Sequence, residues 1–465
     1  MLAKRVAFLS IRRNFSVSKT LNKKHICVVG AGPAGFYAAQ YLVKHLKDVQ
    51  IDLIERLPVP FGLVRYGVAP DHPEVKNVIN TFTKTAEHPN IRFLGNIELG
   101  KDVSIKALRE CYHAVLLTYG AEKDRTLGVP GEDLENVISA REFVGWYNGD
   151  PKCKDLKPNL QGNHVVILGQ GNVGMDVARI ILTPVDQLKT TDITSHAIES
   201  LSTSKVQKVS LIGRRGPLQA AFTIKELREM LKIPGCDTIW RPEDFQGIDQ
   251  DLIAGLPRPK KRITELMLKS VNENKKDSSQ KQFCPIFHRS PVLFKPEDLT
   301  KAKHLAEFIV NKMESDKALP TGDKETIDFN FALRSIGYKS ICADPNLNFD
   351  TSKGFIPNKD GKVLTQTGKI DPGLYVAGWL RTGPTGVILT TMSNAFEVAE
   401  NMCKDFELRK DEDSKSGFEG LGLKNQVVTW KDWQKIDKFE MDEGKKLGKP
   451  REKLLDVRKM LEIAG

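Results

Sequence analysis

The chain has 465 residues, enough for two or three domains that each bury a core. A hydrophobic fraction of 40% beside 28% charged residues describes a globular protein. No apolar run approaches the roughly 18 residues that span a bilayer. The formal net charge is +11, but Lys4, Arg5, Arg12, Arg13, Lys19, Lys23 and Lys24 lie in an acid-free head. The remainder is only mildly basic, and no nucleic-acid partner is expected. The seven cysteines are widely spaced, giving neither a metal cluster nor a CxxC pair. They read as core or free thiols in a reducing compartment.

The head, "MLAKRVAFLSIRRNFSVSKT", is basic, serine-containing and acid-free, with Leu2, Val6 and Leu9 spaced along one helical face. That is the composition of a mitochondrial transit peptide, expected over 1–24 with cleavage near Phe15; a plain basic tail is the alternative.

"HICVVGAGPAGFYAAQYLVKHLKDVQIDLIER" follows from His25. Residues 26–29 read as a strand, 36–47 as a helix and 49–54 as a second strand, with Gly30, Gly32 and Gly35 at the turn as G-x-G-x-x-G. The first glycine permits a tight turn, the second lets backbone approach a pyrophosphate, and the third lets helix and strand pack. The helix N-terminus presents free N–H groups to phosphate. Glu55, at the end of the second strand, is placed to accept hydrogen bonds from a ribose hydroxyl; a solvated strand end is the alternative.

"RLPVPFGLVRYGVAPDHPEVKNV" reads as an ordered loop passing close to a cofactor. "YHAVLLTYGA" is a buried strand. A second fingerprint, "HVVILGQGNVGMDVAR", places Gly169, Gly171 and Gly174 after a strand over 165–168. At the end of its next strand, "VSLIGRRG" carries Arg214 and Arg215 where an acid would stand in an NAD site. Two guanidiniums suit the 2′-phosphate of NADP, unless they only mark an exposed turn. The first site is thus expected to take FAD and the second NADPH. Binding both in one chain supplies the proximity that hydride transfer needs.

"LPRPKKRITELMLKSVNENKKDSSQKQ" concentrates Pro, Lys and Ser and reads as a surface stretch, mobile in part. "LYVAGWLRTGPTGVILTTMSNAFEVAE" reads as a strand, a glycine-rich loop and a helix that complete the first domain. The expected architecture is α/β, with two Rossmann-like domains. An NADP domain over 162–331 is inserted within an FAD domain over 25–161 and 332–404. A charged tail, 405–465, packs outside as helices and loops.

"GAGPAGFYAAQYL", "PFGLVRYGVAPDHPEVKNV", "GQGNVGMDVARIIL", "GRRGPLQAAFTIKELREM", "SIGYKS", "GWLRTGPTGVILTTM" and "GKPREKLLD" stand in the same order as segments of one family. The chain resembles the mitochondrial NADPH:adrenodoxin (ferredoxin) oxidoreductases from His25 onward, as a fungal-type homologue. The resemblance implies FAD contacts at Ala34, Glu55, Leu63, Leu99, Trp379, Gly386, Val387 and Ile388. It implies NADP contacts at Gln170, Gly171, Asn172, Val173, Arg214, Arg215, Glu226 and Gly386. Trp379 stands in a Gly-Trp pair, where many two-dinucleotide flavoproteins have Gly-Asp, and would cover the flavin; core packing is the alternative. His72 and Asp176 match positions proposed to relay protons, although a loop histidine and a helix aspartate serve structure equally well.

The resemblance also makes Arg258 and Arg262, with Lys260 and Lys261 between them, a docking patch for an acidic mitochondrial 2Fe-2S ferredoxin; such a run is otherwise a solvated face. It implies hydride transfer from NADPH to FAD, then single electrons to ferredoxin. They would serve iron-sulfur assembly, haem A synthesis or a P450. The place is the matrix or the matrix face of the inner membrane, with peripheral membrane association. The segment 295–328 matches the family poorly and suggests nothing catalytic. Competing readings are a disulfide reductase, which lacks its cysteine pair here, an oxidase, and a non-enzymatic dinucleotide-sensing module.

Overall fold

The computed structural model describes residues 23–273, 280–298, 303–384, 386, 388–408 and 414–465. Residues 1–22 of the expected transit peptide 1–24, and Val387, therefore lie outside the described residues. Lys24–Val29, Val49–Glu55, Ile91–Gly95, Ala114–Leu117 and Ile370–Val376 pair in parallel as the centre of an eight-stranded sheet. Their sequences are nearly continuous in apolar residues because helices cover both faces. A fully buried exception, Asp52, accepts from Arg92 Nε at 2.7 Å and Tyr112 Oη at 2.9 Å. Helices Pro33–His45 and Ile388–Leu408 pack on this sheet, joining Phe36, Leu42, Val398 and Met402 in one core.

The chain leaves this sheet after Ala114–Leu117, builds a second sheet, and returns at Asn358–Lys359. The second sheet is parallel throughout, in the order Val137–Ser139, Phe331–Arg334, His164–Leu168, Lys208–Ile212, Lys281–Ile286, Cys236–Thr238. An inserted second unit is thus as expected, but its sheet crosses the expected edges at 162 and 331. Val137–Ser139 and most of Phe331–Arg334 fall outside that range and pair with each other. A three-residue strand is too short to carry a legible pattern.

Four further segments carry structure that the sequence did not specify. The loop after Glu55 contains helices Leu63–Tyr66, Pro73–Lys76 and Val78–Ala86, the second opened by a proline at its first turn. The basic stretch contains helix Arg258–Asn272, anchored by buried Ile263, Thr264 and Met267; residues 274–279 lie outside the described set. The described residues of 295–328 belong to an antiparallel sheet of Arg289–Asp298, Lys303–Glu314 and Lys317–Phe329. The tail is not merely external. Val428–Thr429 adds a strand to the first sheet, and Trp433, Ile436 and Met460 enter its core from helices Trp430–Lys446 and Val457–Ala464.

Candidate functional site

Both fingerprints fold as strand, glycine turn and helix. At Gly30, φ is +109° and a Cβ would stand 2.8 Å from the Tyr119 backbone, so the turn admits only glycine. Gly169 repeats this with φ +116° and Ser335 O 2.2 Å from the added atom. Beyond each turn the geometry opens. A Cβ on Gly32 or Gly171 would meet nothing within 4 Å, and neither following helix has a side-chain N-cap. Each cradle therefore presents helix N–H groups and space for a pyrophosphate, as the two nucleotides require.

Around the first cradle, several chain segments converge. Phe61 N–H donates to Ala31 O at 2.8 Å, and an added Cβ on Gly62 would lie 3.3 Å from Gly32 Cα. Another on Gly378 would lie 2.7 Å from Ala34 Cβ. Glu55 Oε2 accepts from Ala31 N–H at 2.9 Å, and burial pushes its carboxyl up. Trp379 is half-buried and stacks on Tyr338, with ring centroids 5.4 Å apart. Leu63 is partly exposed, whereas Leu99 is buried with Val29, Leu117 and Leu380, beneath the cradle. Gly386 has φ +86°, and half-buried Ile388 begins the long helix.

The second cradle is more open. Gln170 turns its side chain inward, with Nε2 donating to Ile286 O at 2.9 Å and Leu211 O at 3.2 Å, so its backbone is what faces a ligand. Asn172 Oδ1 accepts from Thr223 N–H at 2.9 Å, tying the start of helix Asn172–Leu182 to that of Ile224–Met230; Val173 follows, half-buried. Arg214 and Arg215 lie in the bend after strand Lys208–Ile212, with exposed side chains that form no ion pair among the described residues. Their carbonyls accept from Asn311 Nδ2 at 2.8 Å and His288 N–H at 3.1 Å. The antiparallel sheet, which the sequence left without a role, thus shapes the arginine turn.

Between the cradles, Asp71 and His72 of the first unit meet Asp176, Arg179, Glu226 and Glu229 of the second. Arg179 is the hub, reaching Asp71 at 2.6 Å, Asp176 at 2.6 Å and Glu226 at 2.8 Å. These acids hold its guanidinium firmly charged. His72 Nε2 is 2.8 Å from Glu229 Oε2, while its Nδ1 is 3.9 Å from Asp176 Oδ1. Burial pushes Asp176 up, and burial with the neighbouring Asp176 charge pushes Glu226 up to about 7. The sequence reading named His72, Asp176 and Glu226 but missed Arg179, Glu229 and Tyr338. Asp176 with Arg179, and Glu226 with Glu229, stand three apart on their helices, a spacing that signals shared faces.

Arg258, Lys260 and Arg262 are exposed and Lys261 is half-buried, all in the opening turns of Arg258–Asn272. They form no ion pairs among the described residues, and that first turn contains no acid.

Two nucleotide cradles on separate sheets, each parallel at its centre and joined by a charged junction, define a two-cofactor flavoprotein oxidoreductase. The pyridine nucleotide-disulphide oxidoreductase family matches residues 24–232. The mitochondrial NADPH:adrenodoxin oxidoreductase of Drosophila melanogaster is 56% identical over 97% of this chain and 95% of its own length. A fungal relative from Schizosaccharomyces pombe, named a probable enzyme of that kind, is 39% identical over 93% of this chain and 94% of its own. Mycobacterium tuberculosis FprA, solved in complex with NADPH, superposes with a TM-score of 0.86 at 36% identity, covering 95% of this chain and 99% of that one. The chain belongs to the mitochondrial NADPH:adrenodoxin oxidoreductase family. It is an oxidoreductase using FAD and NADPH.

Proposed function

We propose that this chain passes electrons from NADPH through FAD to an acidic mitochondrial 2Fe-2S ferredoxin of the adrenodoxin type. The observation that carries this reading is the pairing of two cradles with different outer groups, a carboxylate at one and an unpaired arginine pair at the other. When bound, NADPH supplies a hydride and FAD holds the electron pair for release one electron at a time.

The chain's own residues bind and align. Gly30, Gly32, Ala34 and Gly35 seat the FAD pyrophosphate, Glu55 accepts from its ribose, and Trp379, backed by Tyr338, covers the flavin. Leu63, Leu99, Gly386 and Ile388 would complete that pocket. Gln170, Gly171, Asn172 and Val173 offer backbone N–H groups to NADP, while Arg214 and Arg215 take its 2′-phosphate by charge-assisted bonds. Arg179 orients Glu226 and Asp176 beside His72, where a proton can be held or moved.

Ferredoxin docks on Arg258, Lys260, Lys261 and Arg262. Cations at a helix N-terminus oppose the helix dipole, so this cluster weakens its own helix and supports a role outside the fold. The acid-free head directs the chain to the mitochondrion, to the matrix or the matrix face of the inner membrane. Among the described residues no helix is long and apolar enough to cross a membrane.

A disulfide-reductase reading finds less support, since no two of the seven cysteines stand close in sequence and five are buried. The test is NADPH-driven cytochrome c reduction by FAD-loaded protein, with and without a mitochondrial 2Fe-2S ferredoxin. Steep dependence on ferredoxin is expected; equal NADPH consumption without it would point to an oxidase or another acceptor.

A further inference from the structure

One motif remains without a role in cofactor binding or docking: "GKPREKLLD", residues 448–456. Leu454 packs in the first unit's core with Trp433 and Ile436. Glu440, fully buried on helix Trp430–Lys446, accepts from Leu454 N–H at 2.9 Å and pairs with buried Arg65. The segment is thus rooted in the FAD-binding unit. Its polar side chains reach the other one.

Lys449 Nζ donates to Ile193 O at 2.7 Å. Glu452 accepts from Ser195 N–H at 3.0 Å and Ser195 Oγ at 2.9 Å. Lys453, 2% exposed, lies 3.0 Å from Asp192 Oδ2. Ile193 belongs to the core of the NADP-binding unit, which also contains Tyr147, whose carbonyl accepts from Thr194 N–H. Asp192 meets a second cation of the first unit as well, Lys76 at 2.6 Å. One carboxylate of the second unit is therefore held by two elements of the first, distant in sequence.

We infer that residues 449–453 are a latch which, through Asp192 and Ser195, sets the angle between the two nucleotide-binding units and so positions nicotinamide against flavin. The inference rests on the proposed hydride path. Hydride transfer demands reacting atoms at near-attack distance, and the two cradles sit on different sheets, so the contacts between units decide that distance. The hub at Arg179 is one such set of contacts. The latch is a second, reached through Lys76 at the opposite end of helix Pro73–Lys76 from His72. These are positioning residues that touch neither cofactor site described above. Lys76 and Lys453 are both pushed down by burial, and Asp192 is held well below the usual carboxylate range by the same two cations. Removing that carboxylate would leave two buried cations unpaired, a severe loss. Glu452 is the milder place to cut, because its cation partner Lys449 keeps the Ile193 carbonyl and the Ser195 hydroxyl.

The test is stopped-flow reduction of FAD-loaded Glu452→Ala by NADPH, beside hydrogen exchange of the protein. The limiting rate should fall about tenfold, since a displacement of ~1 Å can cost more than this. The NADPH dissociation constant and flavin content should stay within about twofold of the parent. Exchange should rise at 71–76, a segment that Glu452 does not touch, and Glu452→Gln should restore much of the rate. An unchanged limiting rate and unchanged exchange at 71–76 would overturn the latch. If Glu452→Ala loses its flavin, Ser195→Ala is read by the same criteria. If the parent's flavin is not bleached by NADPH, the hydride path itself fails, and the latch with it.

Discussion

At the first cradle Glu55 turns inward onto Ala31 N–H and segments around Gly62 and Gly378 close over the glycine turn. At the second, Arg214 and Arg215 project into solvent, while Gly171, like Gly32, leaves open space for a pyrophosphate. The same strand-turn-helix unit thus makes two kinds of site. An enclosed nucleotide becomes part of the folded core and stabilises it, whereas an open rim lets a nucleotide leave after each turnover. This difference suits a resident FAD and an exchanging NADPH.

The hardest blow to the enclosed site is Gly30→Val, which forces a side chain into the Tyr119 backbone at a positive φ. It should yield protein without flavin absorbance, while Gly171→Ala, with nothing near its Cβ, should retain flavin and lose affinity for NADPH. Next in size is Arg214→Ala with Arg215→Ala. Two charge-assisted bonds of about 1.5 kcal/mol each correspond to about 100-fold in kcat/KM for NADPH, with NADH nearly unaffected.

A third change sharpens the contrast by leaving both cradles alone. Arg258→Glu with Arg262→Glu should slow ferredoxin-dependent turnover about tenfold at low salt, less at high salt, and leave reduction of a small dye intact. Equal ferredoxin kinetics at low salt would remove the docking assignment. The smallest effect concerns Glu226. Its folded-state value of about 7 lies above the ordinary 4.5, so the folded chain keeps a proton that the unfolded chain releases between those values. Its stabilising contribution is complete below about 4.5 and lost as pH rises through about 7. Glu226→Gln should therefore narrow the difference in thermal midpoint between acidic and mildly alkaline solution by about 2 °C.

The cradles were legible because a glycine turn needs its glycines at fixed spacing, next to strands that are apolar on both faces. Arg179 and Tyr338 were not, since their roles depend on Asp71 and Trp379, far away in the chain. The helix Arg258–Asn272 hid behind basic residues at its unfavourable end and a narrow strip of buried side chains. The tail read as external because its charges are many, yet Trp433 and Ile436 carry it into the core. Only the resemblance supplied the ferredoxin; no spacing of residues could name the acceptor.

The most direct measurement compares the second-order rate of flavin reduction by NADPH and by NADH, in the parent and in the Arg214→Ala, Arg215→Ala protein. A strong preference for NADPH that collapses in the variant, with flavin content unchanged, is the result expected of an enclosed FAD beside an open, arginine-read NADPH site. An equal loss for both nucleotides, or no preference in the parent, would contradict it.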